Sequence, residues 1–543
     1  MAPVPIEHPP SYIPLALSTT HLGLVVYLTY AVGASLYTSY KSLSPAQDTR
    51  RRQEWRKKLA PVFAGLAAVA LVSTTYSSLS YAVLSYKAWA HERDVELPHR
   101  LVGDKGFLPG THNASQVYLA RWLDDTPIYY DAFEIVAEKA RRFWWGQQVD
   151  LGSISWSILL AIEGRRRHIP LLTAFLALAH LVSLSFAQNL FYLALLLTPA
   201  PIAAGNDHLE LPVVPMPASR WARIRHAVSP PKPTNWCPHP ALLLGAVLVN
   251  FASLFILPYA VETPSFVTVA LVTRLSTFLP LIVSKVVPTS WGTVHPHPHD
   301  AYSSFTSLFR LISLASFALH AKATFFGLRY NLPDSHYHRH SRFLPWDIAE
   351  RSTWEQSTTA IGKVLGSTRD HPVVAAVGWD VLLCALSLGI WTAVRATDVE
   401  GIILSTVPFY KKPGHVAADH GSTPSAVKEE FDSNEQATEN GMKLRRRGPP
   451  KSRGTSISSV GSDVAGDNTV LGTARRRGRP KKVAEPDEAY EPTAAEASQV
   501  VEGDILPPKE LDWESAALAW GLAAFGGLGA AEAGVFGAEC VSR

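Results

Sequence analysis

Residues 240–260 read PALLLGAVLVNFASLFILPYA, and this stretch decides the fold class. It holds no Asp, Glu, Lys or Arg. A bilayer core takes about 20 mostly apolar residues per helix, and a helix satisfies its own backbone polar groups in hydrocarbon. Working outward, six further stretches match: 13–37, 60–83, 169–199, 265–287, 303–326 and 372–396. Another, 515–538, is Ala/Gly-rich, with Gly526, Ala530 and Gly534 four apart, a spacing that lets helices approach closely. Segment 143–163 is interrupted by Gln147, Gln148, Asp150 and Glu163, so it spans, re-enters or lies flat. The expectation is an all-α polytopic integral membrane helix bundle of eight or nine spans.

Composition agrees. The chain is 47% hydrophobic and only 18% charged, below the usual quarter of a soluble protein. Its three cysteines, Cys237, Cys384 and Cys540, are far apart and form no CxxC, which argues against a disulfide framework or zinc site. The first apolar stretch lacks a basic leader and a small-residue cleavage site, so 13–37 reads as a retained span.

Lys41, Arg50, Arg51, Arg52, Arg56, Lys57 and Lys58 make loop 38–59 cytosolic by the positive-inside rule. The N-terminus and loop 84–142 are then lumenal, which fits the glycosylation sequon at Asn113. If 143–163 does not span, loop 200–239 and the tail are cytosolic, and this is the working orientation. If it spans, Arg165–Arg167 become cytosolic and the tail lumenal. The endoplasmic reticulum or another endomembrane is the expected compartment.

Three regions follow: a transmembrane core over 1–410, a charged linker over 411–510, and a terminal span over 511–543. The linker is rich in Ser, Thr, Pro, Glu and Lys and poor in aromatics, so it cannot bury enough apolar surface to fold. Its block 443–482 holds twelve Lys or Arg and suits anionic lipid headgroups or other polyanions. Within it, Arg477, Gly478, Arg479 and Pro480 resemble an AT-hook core for the minor groove of DNA. One such core in a biased tail is weak evidence, and DNA is a disfavoured partner.

Histidines cluster at His295, His297 and His299 and at His336, His338 and His340. Alternating His-Pro does not converge helix-spaced imidazoles on a metal, so loop histidines are the simpler reading. No Walker A, GxSxG or HExxH is present, and no cofactor is expected. Ionisable residues inside spans are functional candidates by default. Here they are His180, Arg274, Arg310, His320, Lys322 and Asp380. Asp380 is expected either to pair with a base such as Lys322 or to act as an acid. Neither half-repeats nor broken helices, the marks of a transporter, show in the sequence.

The stretch 122–150, WLDDTPIYYDAFEIVAEKARRFWWGQQVD, concentrates acids beside aromatics. Pro127 after Asp125 and Thr126 marks a helix start. Residues 127–145 then form one amphipathic helix at the lumenal interface, with Trp144 and Trp145 as anchors. The alternative is that Asp124, Asp125, Asp131 or Glu134 faces a cavity. Tyr129, Tyr130, Trp144 and Trp145 would then supply aromatic lining.

Several of these stretches, among them RWLDDTPIYYDAFEIVAEKARRFWWGQQ and HPVVAAVGWDVLLCALSLGIW, resemble a family of filamentous-fungal multi-pass membrane proteins. That family, most of whose members are uncharacterised, is identified as including the membrane-bound terpene cyclases of ascofuranone- and ascochlorin-type pathways. The resemblance covers residues 10–400 and the last span and carries over no catalytic residue. It implies cofactor-independent opening of a terminal epoxide on a prenylated, lipid-like substrate, followed by ring closure. That chemistry needs a protonated carboxyl, aromatic faces beside the cation and exclusion of water. The candidate acids are Asp124, Asp125, Asp131, Glu134 and Asp380. A non-catalytic scaffold or tether and a transporter are the competing functions.

Overall fold

The computed structural model describes residues 10–41, 50–95, 117–199, 219, 232–233, 236–294, 302–333, 338–339, 348–349, 352–395, 397–410 and 510–541. The sequon at Asn113, the histidines at 295, 297, 299, 336 and 340, and the segment 411–509 with its basic block lie outside them.

The fold is all-α, with β structure among the described residues limited to two short antiparallel pairings. Six helical segments are long and apolar enough to cross a bilayer. They are α1 (Ile13–Lys41), α2 (Arg50–Glu92), α8 (Pro240–Ala260), α9 with α10 (Phe266–Leu275 and Leu279–Val286), α11 (Tyr302–Arg329) and α13 (Pro372–Arg395). Shorter helices complete the element order: α3 (Leu119–Asp125), α4 (Ile128–Glu138), α5 (Ala140–Leu159), α6 (Leu172–Leu181), α7 (Leu184–Leu197), α12 (Thr353–Leu365), α14 (Val399–Thr406), α15 (Trp513–Gly526) and α16 (Leu528–Val541). Local chemistry sets their ends. Pro240 occupies a first-turn position of α8, and a reciprocal Ser352–Glu355 capping box opens α12.

Hydrogen bonds sort the helix ends onto two sides. On one, Arg141 Nε reaches Asp370 at 2.7 Å and Arg141 Nη1 reaches Asn331 at 3.3 Å. Tyr81 of α2 donates to the Ile128 carbonyl there, at 3.1 Å, and its ring packs on His371. On the other side, Arg56 reaches the Ser39 carbonyl at 2.9 Å, and Arg395 Nε reaches Glu539 at 2.8 Å. Arg167 touches Glu539 and donates to the Thr198 carbonyl at 3.2 Å. We call these the Asp370 side and the Arg395 side. Helix α5, extended by a π-helical turn over Leu160–Gly164, runs from the first to the second and is buried along most of its length. Its polar residues face protein, which explains its low apolarity.

Two expected spans are hairpins instead. Residues 169–199 divide into α6 and α7, which turn at Val182 and Ser183. Leu172 at the start of α6 packs on Gly164, and the end of α7 meets Arg167. Both ends therefore lie on the Arg395 side, and the turn lies inside the bundle. Residues 515–538 divide likewise into α15 and α16 around Gly527, which has φ +80°. The N–H of Asp512, the cap of α15, donates to the Ala393 carbonyl at 3.0 Å, and Glu539 near the end of α16 pairs with Arg395. Neither limb is long enough to cross, since 14 residues of helix extend only about 21 Å. The broken helices that the sequence does not show are thus present, twice.

The expected helix 127–145 is also two. Lys139 is extended, so α4 ends there and folds back on α5. Gly146 permits that approach, because a Cβ there would collide with Val136. No side chain caps α4, contrary to the roles expected of Asp125 and Thr126.

Candidate functional site

Helix α4 separates two cavities. Asp131, Glu134, Ile135 and Glu138 face one, and Ala132, Phe133 and Val136 face the other. The amphipathic pattern of its sequence is therefore a division between a polar cleft and an apolar cavity.

The apolar cavity, about 190 Å³, lies at the tip of the α6–α7 hairpin. Phe133, Phe143 and Phe266 supply aromatic walls, and Asp150, Asp380, His180 and Arg274 supply the charge and polarity. Asp380, 7% exposed, accepts from the backbone N–H of Ser185 at 2.7 Å and of Leu184 at 3.0 Å. These are the first orphan donors of α7, so Asp380 caps a half-helix whose positive dipole end points at it. Ser183 completes the cap by accepting from Phe186 N–H.

Asp150 of α5, 8% exposed, faces Arg274 of α9 at 3.3 Å. Arg274 also lies over the Phe133 ring. The Thr277 hydroxyl donates to the Arg274 carbonyl at 2.7 Å, so it accepts from His180 Nε2, also at 2.7 Å. That fixes the tautomer: His180 Nδ1 is an acceptor and sits 3.5 Å from Arg274 Nη1. The cavity thus brings two carboxyl groups, a guanidinium and an imidazole together among aromatic rings.

The polar cleft, about 780 Å³, lies on the Asp370 side and gathers Asp125, Asp131 and Glu134 with Glu92, Glu138 and Glu262. Asp125 Oδ2 meets Trp89 Nε1 at 2.9 Å, Arg93 at 3.2 Å and Arg121 at 3.6 Å. Glu134 accepts from the Tyr130 hydroxyl at 3.1 Å. Burial, then the neighbouring Glu134, pushes the Asp131 carboxyl above its ordinary range. Burial, then Arg142, lowers His371. Asp124 lines neither cavity and accepts from Ser11 N–H. The five candidate acids are therefore dispersed: three in the cleft, Asp380 in the apolar cavity and Asp124 apart from both.

The expected aromatic lining is elsewhere too. Tyr129 stacks on His21, and Tyr130 packs edge-on against Phe266. Trp144 donates to Thr324 at 2.9 Å and Trp145 to the Val364 carbonyl at 3.2 Å, so both indoles hold helices together. Asp380 does not pair with Lys322, which lies over Phe255 and Tyr259. Among the described residues no group of His, Cys, Asp and Glu has the arrangement of a metal site. Asp150 is not among the five candidate acids; its only mark in the sequence is a carboxylate deep in a semi-apolar run. No protein-family profile, curated protein or solved structure matches the chain.

Proposed function

We propose that the chain is a cofactor-independent membrane cyclase that opens an epoxide on a prenylated, lipid-like substrate in the cavity at the α6–α7 tip. The observation that carries this reading is that Asp150 and Asp380 face one aromatic-walled cavity inside the bundle. In this reading Asp380, whose oxygens accept from two backbone N–H groups, is the anion that stabilises the cation formed on ring opening, not the proton donor. Asp150 is the donor in this reading. Arg274 lies 3.3 Å from its Oδ1, on the wall of the same cavity. The three Phe faces flank the cation as it moves along the chain. The epoxide C–O bond breaks as Asp150 delivers its proton, and after ring closure the final cation returns one proton to the Asp150 carboxylate, so product and substrate are isomers.

In this account α5 crosses as well, giving seven crossings and two re-entrant hairpins. By the positive-inside rule, the Lys and Arg of Lys41–Lys58, Arg165–Arg167, Lys232 and Lys285 favour a cytosolic Arg395 side and a lumenal N-terminus. Expression in a host fed farnesylated phenol epoxides tests the activity by product analysis. A cyclised isomer that depends on the chain supports it, and only unchanged or spontaneously hydrolysed epoxide refutes it.

A second reading, transport, is favoured by the two interrupted helices, whose half-helix ends meet polar groups inside the bundle. Uptake of the same substrate into proteoliposomes with no isomerisation would favour it.

A further inference from the structure

We infer that the cavity between α5, α8 and α11 binds an anionic phosphosphingolipid, a ligand unrelated to the proposed reaction. This cavity, about 560 Å³, opens at the Asp370 side, where Arg141, Tyr330 and Asn331 lie at its mouth. Lys322 Nζ sits 3.7 Å from the centroid of the Phe255 ring and 4.8 Å from that of Tyr259. Both rings lie near the end of α8 and are exposed on its outer surface, so the cavity is continuous with a lipid-facing flank.

Its charge suits an anion. Lys139, Arg141 and Lys322 face it against one carboxylate, Glu138, which already meets Lys139 at 4.0 Å and Arg142 at 3.6 Å. Arg141 is shared with Asp370. No carboxylate lies within ion-pair distance of Lys322 among the described residues, so this ammonium has only ring faces as partners. Cations above apolar walls at a helix end form a phosphate-headgroup site.

The second observation sets the lipid class. Gln147 lines the same cavity, is 3% exposed, and its Oε1 has no hydrogen-bond partner. A buried acceptor left unpaired is costly, and a ligand that carries a donor relieves it. Gln147 is seven residues into α5 and Lys322 is seven residues before the end of α11, so both lie roughly 10 Å below the helix ends. A ligand whose phosphate meets Lys322 therefore needs a donor close to that phosphate. A glycerophospholipid has only ester acceptors there. A phosphosphingolipid has an amide N–H and a hydroxyl.

Ceramide 1-phosphate and phosphatidic acid of matched chain length differ in that feature and share the phosphate. Native mass spectrometry of the purified full-length protein, with the two lipids in competition, reads the preference. We expect ceramide 1-phosphate to be retained on the order of tenfold better, the worth of one buried hydrogen bond. Gln147→Leu should abolish the preference and leave phosphatidic acid retention unchanged. Lys322→Gln should weaken both lipids on the order of tenfold. Inorganic phosphate should displace neither. Equal retention of the two lipids by the unaltered protein overturns the proposal without any variant. So does a preference that survives Gln147→Leu, or full displacement by inorganic phosphate, which would make this a free-anion site.

Discussion

Asp380 and Ser185 are 195 positions apart in the chain and are joined by a 2.7 Å hydrogen bond from the Ser185 N–H to the Asp380 carboxylate. That bond, with its Leu184 counterpart, ends one re-entrant hairpin inside the bundle. The other hairpin ends at the same level. Leu528 N–H points at Gln148 Oε1 at 3.4 Å, and Gln148 is as far along α5 as Asp380 is along α13. Arg141 and Asp370 tie the starts of those two helices together, so both tips lie roughly 12 Å below the Asp370 side.

Replacing Asp380 by Ala should lower stability by about 2 kcal/mol, because two buried N–H groups lose a charged acceptor. Asp380→Asn, which keeps one acceptor oxygen, should lose less. Thermal unfolding in detergent checks the order. Equal melting of all three proteins would mean that the cap does not hold the hairpin.

Gly527→Ala should be destabilised by about 1–2 kcal/mol. Its φ of +80° is unfavourable for any L side chain, and a Cβ there would lie 2.7 Å from His320 Cγ. Gly521, with open space around it, is the matched control. Indistinguishable unfolding of the two Ala variants would contradict the turn geometry.

At the Arg395 side, Glu163, Arg166, Arg167, Arg395 and Glu539 form one network that anchors the ends of both hairpins. Removing Arg395 takes from Glu539, only 1% exposed, its closest ion pair. Arg395→Met should therefore cost about 3–5 kcal/mol, whereas Arg395→Met with Glu539→Met should recover much of it. A double variant as unstable as the single one would show that lost packing, not charge, is the cause.

The polar cleft makes a pH prediction. Asp131 is raised, so its ionised form is disfavoured in the folded state. Its ionisation therefore lowers stability as pH rises through the carboxylate range, and the penalty is absent below about pH 4. Asp131→Asn should melt no lower than the unaltered protein at pH 7, with any advantage vanishing toward pH 4. A variant that melts lower at pH 7 and equally at pH 4 would reverse the sign.

The long helices were legible because hydrophobicity summed over about 20 residues needs no knowledge of partners. The hairpins were not, because the same sum runs straight through a turn. Ser183 inside an apolar run and the Gly526–Gly527 pair were the only local marks, and both are compatible with an unbroken helix. Helix α5 was undecided for the opposite reason: Gln147, Gln148 and Asp150 weaken its apolar score, yet each faces protein. Asp380 was legible as an expensive charge in a span, and so were Arg274 and His180. Their assembly with Asp150 depends on how α5, α9 and α13 pack around the hairpin tip, which no local pattern encodes. The acids of 124–134 stand out by density, but three of them line a polar cleft in which Asp125 already meets Arg93, Arg121 and Trp89.

The most direct test of the account compares two substitutions in membranes that convert a prenylated epoxide. Asp150→Asn removes the carboxyl of the apolar cavity, and Asp125→Asn removes one from the polar cleft. With membrane levels matched, Asp150→Asn should lower the rate of isomer formation on the order of 10²–10⁴, the usual effect of losing a general acid, while Asp125→Asn keeps most of it. Full activity in Asp150→Asn, or a loss confined to Asp125→Asn, would contradict the assignment of the hairpin-tip cavity as the reacting site.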